Sequence, residues 1–324
     1  MSDAKKYIFA ANKQKHKTMI EYTKTIEFLN QTGIPAANCK QLSEKNTATK
    51  SCTKLPFEVI IRRYAVGSFL KQHPEFLKKE GELPHRFHRA YIEFFLNNKS
   101  NSTPLGEEEC SQFLPEGIEW KQMEELSRKT FMVLESAWNN LGYRLIEIQI
   151  ELSVTDEGKL VITDVVNSNE EQMKAVSLFR IPKQALVFWR GSESDKLPEV
   201  PGLPGLHIEQ PVISAHKKPT IAVEELERIH SVYPEGGVII ALVGMSNGLG
   251  PTLSARTDWP VISVCTTANE HPEDVWSNLR MPSEVPNLTV LSPKNAVLAA
   301  FNILGEKNPA IYACRRMAIE ALDK

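Results

Sequence analysis

The sequence has little that marks an exported, membrane-bound or nucleic-acid-binding protein. No apolar run approaches the ~20 residues that a membrane-spanning helix needs, and the first residues lack the apolar segment of a secretory signal. The 38 Lys and Arg residues nearly balance the 40 Asp and Glu residues, and the formal net charge is −2. Such a chain has no basic field to attract nucleic acid or anionic lipid. These absences predict a cytoplasmic protein that binds neither nucleic acid nor membrane.

Two further motifs are missing. The five cysteines are odd in number and far apart, with no CxxC pair and no metal-ligand spacing, which predicts reduced thiols; they are Cys39, Cys52, Cys110, Cys265 and Cys314. No Gly-x-Gly-x-x-Gly follows any predicted strand, and this disfavours a dinucleotide-dependent oxidoreductase.

The length and the residue pattern predict two domains. A chain of 324 residues with 42% hydrophobic and 24% charged residues can bury two cores. The pattern changes near residue 180, so we expect a first domain over residues 1–180 and a second over 181–324. The first contains a helix over 120–140 followed by two alternating strands, over 144–152 and 160–166.

The second domain alternates strands with helices. Its predicted strands lie near residues 185–189, 212–213, 237–243, 260–264 and 288–291. A Pro- and Gly-rich stretch over 197–205 cannot form a regular helix. The alternation predicts an α/β domain in which helices cover both faces of a parallel sheet.

Three polar loops follow strands of this predicted sheet. Because ligands of open α/β sheets bind beyond the carboxyl ends of the strands, we expect the loops to meet there. Residues 191–195 (Gly-Ser-Glu-Ser-Asp) offer backbone N–H groups and hydroxyls to a phosphate, and the Asp195 carboxylate to a ribose diol. The other two loops carry His216 and Ser246. Taken singly, a Gly- and Ser-rich loop is more often an ordinary turn, and an isolated histidine is more often a surface residue.

Together these loops resemble the ordered motifs of animal phosphoribosylaminoimidazole carboxylase, as do residues 259–263, 274–280 and 290–293. Residues 61–71, 148–151 and 163–166 are similar to motifs of phosphoribosylaminoimidazole-succinocarboxamide synthetase, which is fused in front of that carboxylase in animals. The resemblance implies a truncated synthetase-like α+β domain followed by a three-layer αβα parallel-sheet carboxylase domain. It also implies a homo-octamer assembled through the carboxylase core, and a role in purine biosynthesis.

For the carboxylase half, the resemblance implies carbon dioxide as co-substrate and no cofactor. His216 would accept the proton from the aminoimidazole ring, and Lys217 would steady the new carboxylate. Residues implied to contact the ribotide are Gly191, Ser192, Ser194, Asp195, Ser214, Ser246, Asn247 and Gly248. Two positions depart from the family pattern: Lys218 replaces a glycine, and Met245 replaces an arginine.

For the synthetase half, the resemblance implies ATP, Mg²⁺ and aspartate as reactants. Arg62 and Ser68 match residues that contact the substrate, while Glu151 and Asp164 match carboxylates on the magnesium side. The Gly- and Lys-rich lobe that covers ATP in the family has no counterpart here. Amides stand in residues 96–99 where the family has carboxylates, which predicts an impaired synthetase.

Two alternatives remain open. Arg62, Glu151 and Asp164 suit structural ion pairs on a solvated sheet face better than they suit a working catalytic site. The whole chain also suits a non-catalytic paralogue that binds a ribotide or assembles with an intact enzyme.

Overall fold

The computed structural model describes residues 6–8, 19–37, 52–79, 81–97, 103–166, 179–193 and 196–322. It divides into two compact units, one formed by residues 1–180 with 316–324 and the other by residues 181–315. Residues 316–324, which we expected in the second domain, therefore group with the first unit. Among the described residues, every helix is too short or too polar to cross a bilayer.

The first unit is built on a four-stranded antiparallel sheet in the order β3-β2-β5-β6, beside a small parallel pair, β1-β4. Its strands are β1 (Lys6–Ile8), β2 (Cys52–Tyr64), β3 (Arg86–Leu96), β4 (Tyr143–Leu145), β5 (Glu147–Thr155) and β6 (Leu160–Val166). Its helices are α1 (Met19–Gln31), α2 (Phe69–Gln72), α3 (Glu107–Ser111) and α4 (Trp120–Asn140), with a 3₁₀ turn over Pro74–Phe76.

Local sequence explains β5 and α4. Ile148 and Ile150 are buried whereas Glu147 and Glu151 are half-buried, so the predicted alternation of strand faces is confirmed. Helix α4 has the predicted bounds. It ends where Gly142, with φ 80°, takes the left-handed conformation that commonly terminates helices.

The second unit contains a five-stranded parallel sheet in the order β11-β10-β9-β7-β8. Its strands are β7 (Gln184–Arg190), β8 (Leu206–Glu209), β9 (Gly237–Val243), β10 (Val261–Cys265) and β11 (Leu288–Thr289). Its helices are α5 (Pro219–Val232), α6 (Leu249–Ser254), α7 (Trp276–Leu279) and α8 (Pro293–Leu304), with a 3₁₀ turn over Pro272–Val275. The last helix, α9 (Pro309–Glu320), begins in this unit, and its final residues count with the first.

Strand β7 shows why this sheet needs helices on both faces. Val187 and Trp189 pack into one buried cluster with Leu226 of α5. Leu186 and Phe188 point the other way, into a cluster with Ala300 and Phe301 of α8. A strand that is apolar on both faces is stable only when both are covered. The predicted three-layer αβα arrangement is confirmed.

One predicted strand is wrong. Residues 212–213 form no strand, and Val212 makes only an isolated bridge to Arg190. Strand β8, over Leu206–Glu209, occupies the place beside β7. The chain turns at Gly205, with φ 76°, and Pro211 has no N–H to continue the ladder beyond β8. The expected lack of a helix over 197–205 is confirmed.

The prediction that all thiols are reduced is also wrong. Cys52, at the start of β2, is disulfide-bonded. Cys110, Cys265 and Cys314 are thiols outside any disulfide, and Cys39 lies outside the described residues. The spacing of cysteines along the sequence identifies CxxC-type pairs, but it does not reveal cysteines that the fold brings together.

Candidate functional site

A cleft of about 350 Å³ lies in the second unit, at the carboxyl ends of β7 and β9. Segments from each of the three predicted loops line it, so the structure brings these loops together as expected from the sheet topology. The polar side chains among its lining residues are Ser192, Ser214, His216, Ser246, Thr266 and Thr267. Sequence reasoning missed the two threonines that follow β10, because a Thr-Thr pair after a strand resembles any turn.

His216 lies directly against Gly248. A methyl group added at Gly248 would overlap three atoms of the imidazole ring: Nε2, Cε1 and Cδ2. Gly248 has φ −87°, which any residue adopts, so a side chain here would displace the imidazole but would not strain the backbone. One side of the imidazole therefore lies against the Gly248 backbone. Another side is open to solvent, because His216 is exposed.

Asn247 turns away from the cleft. Its side-chain oxygen accepts a hydrogen bond from the Gly250 N–H at 2.7 Å, and its Nδ2 donates to Ser263 Oγ of β10 at 2.9 Å. The residue is 6% exposed. Asn247 was expected to contact a ligand, and in the structure its amide fastens the loop from behind.

Other predicted residues lie elsewhere. Lys217 is exposed and is not among the residues that line the cleft, although its N–H donates to the Ser214 carbonyl at 3.2 Å. Ser194 and Asp195 lie outside the described residues.

Arg62 of the first unit is buried between two carboxylates. Its Nη2 atom lies 2.8 Å from Glu93 Oε2 and its Nη1 atom 3.7 Å from Glu147 Oε2, with the side chain 5% exposed. The guanidinium also stacks over the Phe69 ring at 4.6 Å. Ser68, the other predicted contact, is exposed directly before α2. The solvated ion pair that we considered for Arg62 is therefore wrong in one respect, because the pair is buried.

Burial has the largest effect on the pKa values of the two glutamates beside Arg62. It raises the pKa of Glu93 and of Glu147, and the charge of Arg62 opposes both increases. Arg62 Nε and Glu93 Oε1 are buried without a hydrogen-bond partner. Sequence reasoning missed both acids. A glutamate between Ile92 and Phe94, in an otherwise apolar run, was the available signal, because a carboxylate inside a buried strand needs a cation.

Comparison with known proteins gives matches in both units. A SAICAR synthetase family model matches residues 3–172, and an AIR carboxylase model matches residues 199–320. The bifunctional phosphoribosylaminoimidazole carboxylase/phosphoribosylaminoimidazole succinocarboxamide synthetase of Rattus norvegicus is 30% identical over 344 residues, which cover 89% of this chain and 79% of the relative. The chain belongs to this bifunctional family.

Two other members of the bifunctional family are similarly related to the chain. The Drosophila melanogaster protein of the same name is 29% identical over 347 residues, covering 91% of this chain and 79% of the relative. A probable multifunctional protein ADE2 of Caenorhabditis elegans is 29% identical, covering 88% and 78%. The resemblance inferred from the motifs is confirmed, as is the order of a synthetase-like domain before a carboxylase domain.

In this bifunctional family member, the predicted magnesium carboxylates face each other. Glu151 of β5 and Asp164 of β6 are direct cross-strand partners. Glu151 Oε1 lies 2.8 Å from Lys54 Nζ, and Asp164 Oδ1 accepts the Val165 N–H at 2.8 Å. The described residues contain no cluster of three or more His, Cys, Asp or Glu side chains suited to a metal. Two carboxylates nevertheless fit Mg²⁺, which usually takes one or two from a protein and the rest of its ligands from phosphates and water.

Proposed function

We propose that this protein acts in purine biosynthesis and carboxylates 5-aminoimidazole ribotide with carbon dioxide in the cleft of the second unit. The observation that carries the proposal is the His216 imidazole, seated on Gly248 at the edge of a hydroxyl-lined cleft beyond the carboxyl ends of a parallel sheet. Membership of the bifunctional family supports it. We assign this activity to residues 181–324 and the synthetase activity to residues 1–180.

The chemistry needs one base and tight positioning. The aminoimidazole ring is enamine-like, so its C4 forms the new bond to the carbon of CO₂ when both are held in contact. The C4 proton must then leave. His216 accepts it and returns it to water, which restores the aromatic ring and leaves a carboxylate. No redox partner or cofactor enters this balance.

Hydroxyls and backbone amides hold the ribotide in this proposal. Gly191 and Ser192, with Ser194 and Asp195 of the same loop, would bind the phosphoribose. Ser214, Ser246 and the backbone of Gly248 would border the base and its new carboxylate, with Lys217 supplying a positive charge nearby.

For the first unit, we propose an ATP- and aspartate-dependent succinocarboxamide synthetase of reduced activity. Glu151 and Asp164 would hold Mg²⁺ beside the ATP phosphates, and bound ATP supplies the phosphoryl group that activates the substrate carboxylate. Two observations support the reduction. Arg62 is already engaged by Glu93 and Glu147, and Asn97 stands where the family has a carboxylate. We further propose a cytoplasmic homo-octamer assembled through the second unit.

The decisive experiment measures carbon fixation by the purified protein from labelled bicarbonate and aminoimidazole ribotide. We expect turnover that falls at least about 100-fold in His216→Ala, the usual loss when a general base is removed. His207→Ala is the matched control, because His207 is exposed on β8 and does not line the cleft. Wild-type activity no higher than that of His216→Ala would contradict the proposal. Retained ribotide binding in that case would favour the non-catalytic alternative.

The same preparation tests the synthetase half. With ATP, Mg²⁺, aspartate and the carboxylated ribotide, we expect succinocarboxamide formation much slower than carboxylation. A rate equal to the carboxylation rate would show that the first unit is not impaired.

A further inference from the structure

Met245 holds an uncommon backbone conformation in the wall of the cleft. Its φ is 53°, and among the described non-glycine residues only Glu284 shares a positive value. Its side chain is exposed and lines the cleft. An L-residue keeps the left-handed conformation only where its surroundings impose it. Some neighbouring group must therefore hold Met245 in place.

That group is a short relay ending at Asp274. The Met245 N–H donates to Thr267 Oγ1 at 3.3 Å, and the Thr267 hydroxyl donates to Asp274 Oδ2 at 2.6 Å. A hydroxyl has one proton and two lone pairs. Because the hydroxyl donates its proton to the carboxylate in a charge-assisted hydrogen bond, the Thr267 oxygen acts as the acceptor for the Met245 N–H.

Ser277 holds the other end of the same segment. Its hydroxyl accepts the Asn247 N–H at 3.1 Å and donates to the Asp274 backbone carbonyl at 2.8 Å. Residues 245–247 are thus fastened at both ends to residues 274–277. The next residue is Gly248, the floor beneath the His216 ring.

We propose that Asp274 is a positioning residue for the carboxylation reaction. Through Thr267 it holds Met245 in the left-handed conformation, and so fixes where Gly248 lies beneath His216. Asp274 does not line the cleft and has no contact with substrate in this proposal. The expected effect on kcat rests on the proposed function, whereas the hydrogen bonds of the relay do not depend on it.

The kinetic test compares Asp274→Ala, Asp274→Glu and Thr267→Val. We expect kcat to fall about 30-fold in Asp274→Ala and Thr267→Val, since a displaced base loses reactivity while the rest of the site still binds. The KM for ribotide should change less than about twofold in Asp274→Ala, because Asp274 does not line the cleft and Gly191, Ser192 and Ser214 lie outside the relay. Asp274→Glu restores the carboxylate and should recover most of kcat. Asp258→Ala, at an exposed aspartate of the same unit, is the matched control.

Amide hydrogen exchange gives a readout that needs no activity. We expect the Met245 amide to lose protection in Asp274→Ala and Thr267→Val and to keep it in Asp258→Ala. Wild-type kcat in Asp274→Ala, an equal change in KM and kcat, or unchanged protection would overturn the proposal. If the wild-type protein fixes no carbon, the proposed function fails, and exchange alone decides whether Asp274 holds this wall. Should Asp274→Ala not fold, Thr267→Val carries the same expectations for kcat and for the exchange of the Met245 amide.

Discussion

At the scale of single residues, the carboxylase-like cleft depends on an absent side chain as much as on those present. Gly248 leaves the space in which the His216 imidazole lies. Its backbone angles suit any amino acid, so conformational preference gives no hint of this requirement. The sequence indicated that Gly248 gives the loop flexibility. The tertiary contact shows instead that its lack of a side chain leaves room for the His216 ring.

We predict that Gly248→Ala lowers carboxylation by about 100-fold, because a displacement of the base on the order of 1 Å has this effect in catalysis. The fold should persist, since φ of −87° accommodates alanine. Steady-state carbon fixation and thermal unfolding together check this. Gly202→Ala is the control, because a methyl group at Gly202 meets no atom within 4 Å. Equal activities of the two variants would contradict the steric role of Gly248.

At the scale of elements, β2 places two adjacent arginines on opposite faces of its sheet. Arg62 meets Glu93 of β3 and Glu147 of β5. Arg63 meets Glu135 of α4 at 2.8 Å. Successive strand residues point to opposite sides, so a pair of basic residues in sequence becomes two separate buried ion clusters.

We predict that Arg62→Met destabilises the first unit by about 3 kcal/mol at pH 8, because it leaves the buried Glu93 and the half-buried Glu147 carboxylates without their cation. The pKa values of Glu93 and Glu147, already raised by burial, should rise further. Acids with raised folded-state pKa values favour folding as pH falls. The loss in Arg62→Met should therefore be smaller at pH 5 than at pH 8.

Denaturant unfolding at the two pH values measures this difference. Lys71→Met, at an exposed lysine of α2, is the control for removing a positive charge. If Arg62→Met lowered the free energy of unfolding by the same amount at both pH values, the pKa values of Glu93 and Glu147 would not depend on Arg62.

Helix α8 shows how one element contributes to the second unit. Phe301 is 3% exposed and packs on the sheet with Leu186 and Phe188. We predict that Phe301→Ala lowers the free energy of unfolding of this unit by about 4 kcal/mol, through lost burial and a residual cavity. Leu291→Ala, at a residue 57% exposed, should cost less than about 1 kcal/mol. Hydrogen exchange of β7 and β9 amides reports the two values within this unit, and equal losses would argue against the packing of α8.

At the scale of the whole molecule, the end of the chain completes the core of the first unit. Glu320 is 1% exposed, and its Oε1 atom accepts a hydrogen bond at 2.7 Å from Nη1 of Arg63, 257 residues earlier. It also accepts the Ala90 N–H at 3.1 Å. Burial by itself raises the pKa of Glu320, but Arg63, the Ala90 N–H and Arg316 outweigh it and hold that pKa below its ordinary value of 4.5.

We predict that Glu320→Gln destabilises the first unit by about 3 kcal/mol at pH 7, the usual loss on removing one partner of a buried pair. A carboxyl with a lowered folded-state pKa stabilises the fold above its unfolded pKa and stops doing so as pH falls through the folded value. The difference between wild type and Glu320→Gln should therefore shrink below pH 4.5. Urea unfolding from pH 7 to pH 3 measures it.

Glu125→Gln is the matched control for Glu320→Gln. Glu125 lies in the same unit, on the exposed side of α4, so its replacement should leave the free energy of unfolding nearly unchanged at every pH. A gap between wild type and Glu320→Gln that widens in acid would show that the sign of the linkage is wrong.

The sequence by itself determined the elements and the family. The alternation in β5, the bounds of α4 and the apolar run of β9 follow from backbone periodicity, which local residues set. Ordered motifs carried the family assignment and predicted which loops meet at the sheet edge. These features could be predicted from the sequence because each depends on neighbours in the chain or on the topology of a parallel sheet.

Only the tertiary structure decided which distant groups meet. Glu93 and Glu147 beside Arg62, Glu320 beside Arg63, and the Gly248 floor under His216 involve residues from separate elements. The strand beside β7 likewise proved to be β8 and not residues 212–213. Periodicity is a property of one segment, whereas ion pairs and close packing depend on how segments are juxtaposed, and no local pattern specifies that. For the same reason the sequence suggested that Asn247 contacts a ligand, whereas its amide in fact hydrogen-bonds to Gly250 and Ser263 and holds its own loop in place.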